Sequence, residues 1–435
     1  MTPADWIESA AALATRHREL SDTSVATCRR ALLEVDRLFR QAPTPTREAY
    51  SRVAERALVA AGQLRADALT SGDYAWTSPV DAELPSWTLA AGAQARALDE
   101  VLFRTAPSHF GPVDPEEWLC AASGAYAIPR SRVRESERRR EGHRFTRRGI
   151  LHHRILPEVL EAGYRVKLVR HDTTASPAGE QVAMGAALFP GLKLAIRSAD
   201  GGFVVTDAIC DGAADTVERQ IEAAYAGGCF AAMWPELTVT PALLALIRNT
   251  LGLRILSADP RSALQMVVAG SWHAEEDGQV WNVATVLDGY GAEALTYRKV
   301  LPYRDGKIGT EAIGTPAEVP VLVTDDHLFG FGICKDFCDL GVTLAYRDLD
   351  VDLVLVPSMG NPATMEGHRS TAKGMRVTFG TRAFVVQQAD PEGPAAEQPG
   401  WVLPFPEDPT GKPVADLHQA GDWQVYTGTI PRGGD

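Results

Sequence analysis

The chain has 435 residues, 45% of them hydrophobic and 23% charged, a balance that fits an ordinary soluble globular protein with room for two to three domains. No apolar run approaches the ~18 residues of a membrane-crossing helix, and Met1-Thr2-Pro3-Ala4-Asp5-Trp6 lacks the basic and apolar regions of a secretory signal. A net charge of −13 argues against nucleic-acid binding by the chain as a whole, and six scattered cysteines suit a reducing cytoplasm better than a disulfide framework.

The first 70 or so residues are rich in alanine and arginine and have helical periodicity. Trp6, Ala10, Leu13 and Ala14 share one face of a first helix; Leu32, Val35, Leu38 and Phe39 share one face of a second. Pro43-Thr44-Pro45 separates these from a third helix over about 47–68. Residues 73–129 mix prolines and glycines with short helical patches such as 89–103, and carry no readable chemistry. Residues 130–154 hold ten arginines against three glutamates, with His143, His152 and His153 among them. That segment is either a patch for nucleic acid or another anionic partner, or a solvated helix whose arginines pair with acids elsewhere. The acidic balance of the rest favours the second. Residues 1–160 are therefore expected to be mostly helical, and 161–435 to form a second domain.

In that second part, 166–170 and 192–197 read as strands, and Asp200-Gly201-Gly202 as a hairpin turn into 203–206. Residues 213–226 make an amphipathic helix with Val217, Ile221 and Ala224 inward. It leads to a short apolar strand and the run Met233-Trp234-Pro235-Glu236-Leu237, followed by a helix over 241–251. Strands over 265–272 and 280–287 flank the turn Glu275-Glu276-Asp277-Gly278. Leu295-Thr296-Tyr297-Arg298-Lys299 then ends an extended run on a lysine. After a loop over 303–311, residues 319–323 and 327–333 form a hairpin. Its second strand, Phe329-Gly330-Phe331-Gly332-Ile333-Cys334, ends on a cysteine. A helix over 339–348 precedes a buried strand, 351–357, that runs into Ser358-Met359-Gly360-Asn361. A helix over 365–378, a strand over 383–388, the turn Asp408-Pro409-Thr410-Gly411 and a strand over 424–429 complete the chain. Alternating strands and helices with hairpins between them predict an α/β fold, two sheets packed face to face with helices outside.

Glu236, Lys299 and Cys334 each sit at or near a strand end. Each has a plain explanation taken alone: an acid where Thr238 and Pro241 open a helix, a solvated cation, and a core thiol. Those explanations would have to hold jointly. The order Pro-Glu-Leu, Tyr-Arg-Lys and Gly-x-x-x-Cys-x-Asp resembles the nitrilase superfamily of carbon–nitrogen hydrolases, over roughly the C-terminal 240 residues. The resemblance implies a four-layer α-β-β-α sandwich, with the mostly helical N-terminal region as an extension of unknown role. It makes Glu236 the general base, Lys299 the stabiliser of the oxyanion, and Cys334 the nucleophile that forms a thioester. The resemblance also makes the backbone N–H of Lys335 the second oxyanion donor. Glu311 is the accessory glutamate that orients the triad, a surface-loop acid being the equal alternative, and Asn282 matches an asparagine common at this place in the family. Trp234, Tyr303, Ser358, Met359 and Asn361 are expected to line the substrate pocket, with Trp234 and Met233 as apolar walls beside Glu236.

The chain departs from the family's usual continuation after the cysteine, where Lys335 and Cys338-Asp339-Leu340 stand, so the substrate is not read from a subfamily. The Lys335 ammonium either lowers the pKa of the thiol or contacts an anionic substrate, or it points to solvent. Cys334 and Cys338 have ligand-like spacing, but no second Cys/His pair follows at zinc-like spacing, so neither metal nor cofactor is expected. The expected activity is hydrolysis of a small amide, as an amidase rather than a true nitrilase. Acyl or amido transfer from the same thioester is one alternative, and a scaffold on a vestigial fold is the other. A cytoplasmic homodimer paired through the helices over 339–348 and 365–378 is expected, without membrane attachment.

Overall fold

The computed structural model describes residues 1–20, 24–74, 76, 78–79, 81, 83–105, 114–129, 149–170, 181–199, 201–254, 264–324, 327–338, 349, 351–379, 381–391, 399–404, 417–419 and 422–429. The arginine-rich stretch over 130–148, the expected helix over 339–348 and the turn at 408–411 lie outside them. Two compact units divide the chain, the first ending at Glu158 and the second beginning at Val159.

In the first unit, Thr2 and Asp5 form a capping box that starts helix Pro3–Arg18, and Ser24 caps helix Val25–Arg40. The apolar faces read from the sequence are buried, with Trp6, Leu13, Leu32 and Phe39 in one core. The helix expected over 47–68 is instead two, Thr44–Arg52 and Glu55–Thr70. The backbone turns extended at Val53, so that Tyr50 and Leu58 both reach that core. Helix Leu84–Thr105 is longer than the patch read at 89–103. A three-stranded antiparallel sheet also belongs to this unit, with β1 (Leu119–Cys120), β2 (Ala125–Pro129) and β3 (His153–Pro157). The expectation of a mostly helical region missed it. The charge of β3 disguised it: His153 is buried because its Nδ1 meets Asp99 Oδ1 (2.8 Å), itself buried on helix Leu84–Thr105.

The second unit is mixed α/β. One sheet has the order β11-β10-β9-β8-β5-β20, from Glu293–Arg298, Gln279–Asp288, Met266–Glu276, Ala231–Trp234, Gln181–Ala187 and Trp423–Thr429. Another has the order β19-β18-β17-β16-β15-β14-β4, from Leu417–Gln419, Gly400–Leu403, Arg382–Ala389, Leu353–Gly360, Leu328–Phe331, Glu318–Val323 and Arg165–Arg170. A four-stranded sheet, β12-β13-β7-β6, joins Arg304–Asp305, Gly309–Glu311, Gly202–Ile209 and Lys193–Ala199. Helices Ala213–Ala226 and Pro241–Arg254 cover the first sheet through Val217, Ile221, Ile247 and Leu251, which pack with Trp234 and Val267. Helix Pro362–Phe379 packs against β16, β17 and β18, and its Met365 and Met375 are buried.

Strand β8 lies between parallel neighbours, β5 and β9, and all four of its residues are buried. A strand covered on both faces reads as an unbroken apolar run, as this one does. Strand β5 is rich in alanine and glycine and has little intrinsic strand preference. Its neighbour explains the composition: a Cβ on Gly185 would lie 2.1 Å from the Trp423 ring of β20.

Candidate active site

Glu236 is aimed by a local irregularity. Strand β9 is bulged against β10, with the register shifting between Ala284 and Val286, and Gly270 at the bulge has φ +55. A Cβ on Gly270 would lie 2.4 Å from the Pro235 carbonyl oxygen. The next residue, Ser271, accepts the Leu237 N–H on its Oγ (3.3 Å), which holds Leu237 at φ +55. Thr238 Oγ donates to the Pro235 carbonyl (2.9 Å). The bulge, Pro235 and two hydroxyls thus fix the turn that carries Glu236. Gly270→Ala should cost about 1–3 kcal/mol through a strained φ and a forced clash. It should also lower turnover by displacing Glu236; denaturant melts and steady-state rates check the pair of effects.

Glu236, Lys299 and Glu311 come together at 2%, 1% and 3% exposure. Lys299 Nζ donates to Glu236 Oε1 (2.7 Å) and Glu311 Oε2 (2.7 Å). Asn282 Nδ2 bridges the same two carboxylates, donating to Glu236 Oε1 (3.0 Å) and Glu311 Oε1 (2.8 Å). The Met359 N–H donates to Glu236 Oε2 (3.1 Å), and the Tyr303 N–H to Glu311 Oε2 (2.9 Å). Burial opposes the Lys299 charge, yet Glu236 and Glu311 outweigh it and hold the ammonium well above the ordinary lysine range. Burial likewise works against the Glu311 carboxylate, but Lys299 and His273 hold it well below the usual range. Glu311 is therefore no surface acid.

His273, which the sequence reading passed over, completes the cluster. Its Nδ1 accepts the Val205 N–H (2.8 Å), which leaves Nε2 to donate to Glu311 Oε1 (2.8 Å). The bond ties β7 to Glu311, and β7 is also paired with the strand that bears Glu311. The signal was a histidine in the apolar strand β9, which by itself reads as a core residue.

Cys334 follows β15 on a tight turn at φ +46, in the left-handed region that favours glycine. Its N–H donates to the Pro357 carbonyl (3.0 Å) and its Sγ to the Met359 carbonyl (3.4 Å), both on β16. Burial, then the nearby Glu236 charge, pushes the thiol well above the ordinary thiol range. That direction is the reverse of the lowering that is one of the three readings of Lys335. The half-buried Lys335 ammonium donates to the Pro302 carbonyl (3.2 Å). Asp336 anchors the turn, accepting from Tyr297 Oη (2.7 Å), Leu301 N–H (2.8 Å) and Ile333 N–H (3.1 Å). It thereby joins the end of β11, just before Lys299, to the cysteine turn. Burial outweighs these donors and lifts its carboxyl to about 6.

A cavity of about 420 Å³ opens onto Glu236, Lys299, Glu311 and Cys334, a size suited to a small molecule. Tyr303 and Met359 line it. Trp234, Ser358 and Asn361 do not. Trp234 points to the opposite face of its sheet, where its Nε1 donates to Gln220 Oε1 (2.8 Å) beneath the helices. Strand alternation sends it away from the cleft. Ser358 is fully buried, its Oγ held by His368 Nε2 (3.0 Å), and burial pushes His368 down to about 3. Asn361 is exposed and its Oδ1 accepts the Thr364 N–H (3.1 Å) at the start of a helix. Among the described residues no cluster of three or more His, Cys, Asp or Glu side chains is arranged to hold a metal ion. Nor is any described helix long and apolar enough to cross a membrane.

The class that these features define is a mixed α/β unit with a buried Glu–Lys–Glu cluster beside a cysteine at strand ends. No family model matches the sequence, and no curated protein matches it. Among solved structures the chain is similar to the NitFhit protein of C. elegans, with 16% identity, 58% of this chain and 62% of that one covered, and a TM-score of 0.41. It thus spans less than two thirds of that protein. It is also similar to Nit3 of Saccharomyces cerevisiae, a member of branch 10 of the nitrilase superfamily, with 15% identity, 59% and 92% covered, and a TM-score of 0.42. A third is an amidase from Nesterenkonia sp. AN1, with 16% identity, 58% and 92% covered, and a TM-score of 0.40.

Proposed function

We propose that the unit beginning at Val159 is a cysteine-dependent carbon–nitrogen hydrolase that cleaves a small amide through a thioester. The observation that carries the reading is the Lys299 ammonium clamped between Glu236 and Glu311 in the cavity that Cys334 also lines. A thiol held protonated needs a base at the moment of attack, and Glu236 is the carboxylate whose charge it feels. In the proposed sequence, the Cys334 proton passes to Glu236 as Sγ attacks the amide carbon. The carbonyl oxygen gains charge and is stabilised by Lys299 and by the Lys335 N–H. Glu236 returns the proton to the departing nitrogen, the thioester forms, and water activated by Glu236 resolves it. No cofactor is required. We read the two large sheets as the inner layers of a four-layer α-β-β-α sandwich. The Glu236 N–H, beyond β8 of one, reaches the Ser358 carbonyl in β16 of the other (3.4 Å).

Incubation with simple amides and hydroxylamine tests the activity. Ammonia release with hydroxamate formation, and an acyl adduct on the protein by intact mass, are expected; absence of all three with every amide rejects the reading. We also propose a homodimer, the commonest closed assembly of soluble chains. Sedimentation at micromolar concentration checks it, and a 47 kDa species would count against it.

A further inference from the structure

One small apolar cluster stands apart from the larger cores: Phe203, Val205 and Leu237, all buried, with Leu194, Trp272 and Met359 packed against them. All but Trp272 line the cavity that holds Cys334. Strand geometry explains the grouping. Phe203 and Val205 are two apart on β7, Leu194 and Ile196 are two apart on β6, and Ile196 pairs with Val205, so the four share one face. The apolar track does not stop where burial ends. Ile196, Tyr303 and Ile308 also line the cavity, yet they are 42%, 41% and 43% exposed. Ile308 is held in place: its N–H donates to Asp305 Oδ1 (3.0 Å), and β13 just beyond it pairs with β7. Apolar surface left in water at the mouth of a cavity is relieved when the apolar part of a ligand covers it. An amide of acetamide's size at Cys334 would leave this surface uncovered and most of the cavity's about 420 Å³ unfilled. Charges of both signs, on Asp305, Asp390 and Lys307, border the same cavity, so the apolar track is its one-sided feature.

Building on the hydrolase reading for the amide end, we infer that the site selects primary amides whose acyl part is an apolar chain, over amides of the shortest acids. The chain runs from Cys334 along Met359, Leu237 and Val205 and leaves between Ile196 and Ile308, covering both. Selection by length then follows from the apolar area removed from water, methylene by methylene.

Calorimetry on the Cys334→Ala protein separates binding from chemistry, with acetamide, butanamide, hexanamide and octanamide as ligands. Each methylene laid along the track should tighten binding by about 3-fold, so octanamide should bind at least about 30-fold more tightly than butanamide. An octanamide analogue with two ether oxygens in its chain keeps the length without the apolar surface, and should lose most of that gain. The double variant Ile196→Ser/Ile308→Ser, made on the same background, alters two part-exposed side chains and should flatten the rise. Binding that is level or falls along the series overturns the inference. So does an ether analogue as tight as octanamide, an unchanged rise in the double variant, or no binding of any ligand. Turnover of the same amides by the wild-type protein tests the reaction itself. The predicted binding order without turnover would reject the hydrolase reading and leave the selection standing.

Discussion

Cys334→Ala should abolish turnover and the substrate-derived adduct while leaving the melting temperature within a few degrees of wild type. The side chain is small, its loss removes one weak bond to the Met359 carbonyl, and the left-handed backbone at this position is as awkward for alanine as for cysteine. An adduct that maps instead to Cys338, whose Sγ meets the Lys335 carbonyl (3.8 Å), would displace Cys334 as nucleophile. Cys334→Gly makes the complementary test. It should be stabilised by relief of the positive φ while equally inactive, which would show strain held for function. The raised thiol pKa adds a signature. Alkylation of Cys334 by iodoacetamide should keep accelerating above the ordinary thiol range, whereas turnover, with Glu236 taking the proton as proposed, should proceed at neutral pH. Glu236→Gln should separate the two behaviours, lowering turnover by at least ~100-fold, the scale of a lost general base.

What the sequence made legible follows from where each residue sits. Glu236, Lys299 and Cys334 each sit at or near a strand end, where side chains leave a sheet for a cleft, but it was the resemblance carried by the order of their motifs that joined the three. Asn282 stood out only through the family resemblance. His273 and Asp336 gave no such signal, because their roles are set by partners far along the chain, Glu311 and Val205 for one, Tyr297 and Leu301 for the other. Trp234 was misplaced for a simpler reason. Being one residue from Pro235 says nothing of which face of β8 it takes, and alternation puts it under the helices. Strand β5 escaped because its residues were chosen by the Trp423 ring above Gly185 rather than by strand preference. Cross-strand and cross-layer partners are the part of a fold that a single sequence does not spell out.

Lys299→Met should be the most damaging substitution in the cluster, in activity and in stability. The side chain is buried, and its removal leaves Glu236 and Glu311 facing one another with Asn282 as the shared donor. Breaking a buried ion pair by deleting one partner costs about 3–5 kcal/mol, since a charge is left without compensation. In the proposed reaction, loss of the ammonium also removes an oxyanion donor, worth about 100- to 1000-fold in turnover. The two effects differ in pH dependence. Lys299 is raised in the fold, so its contribution is complete below the ordinary lysine range and lost only as pH climbs through the higher folded value. Glu311 is lowered, so its contribution is complete above the ordinary glutamate range and lost as pH falls through the lower folded value. Wild type should therefore hold its stability across the neutral range. In Lys299→Met, Glu311 has lost the charge that kept it ionised and takes up a proton in mild acid. The stability gap between the two proteins should be wide at pH 8 and narrower at pH 5, as read by chemical denaturation at each. A gap that is equal at both would mean that Lys299 acts through packing, with the carboxylates neutralised some other way.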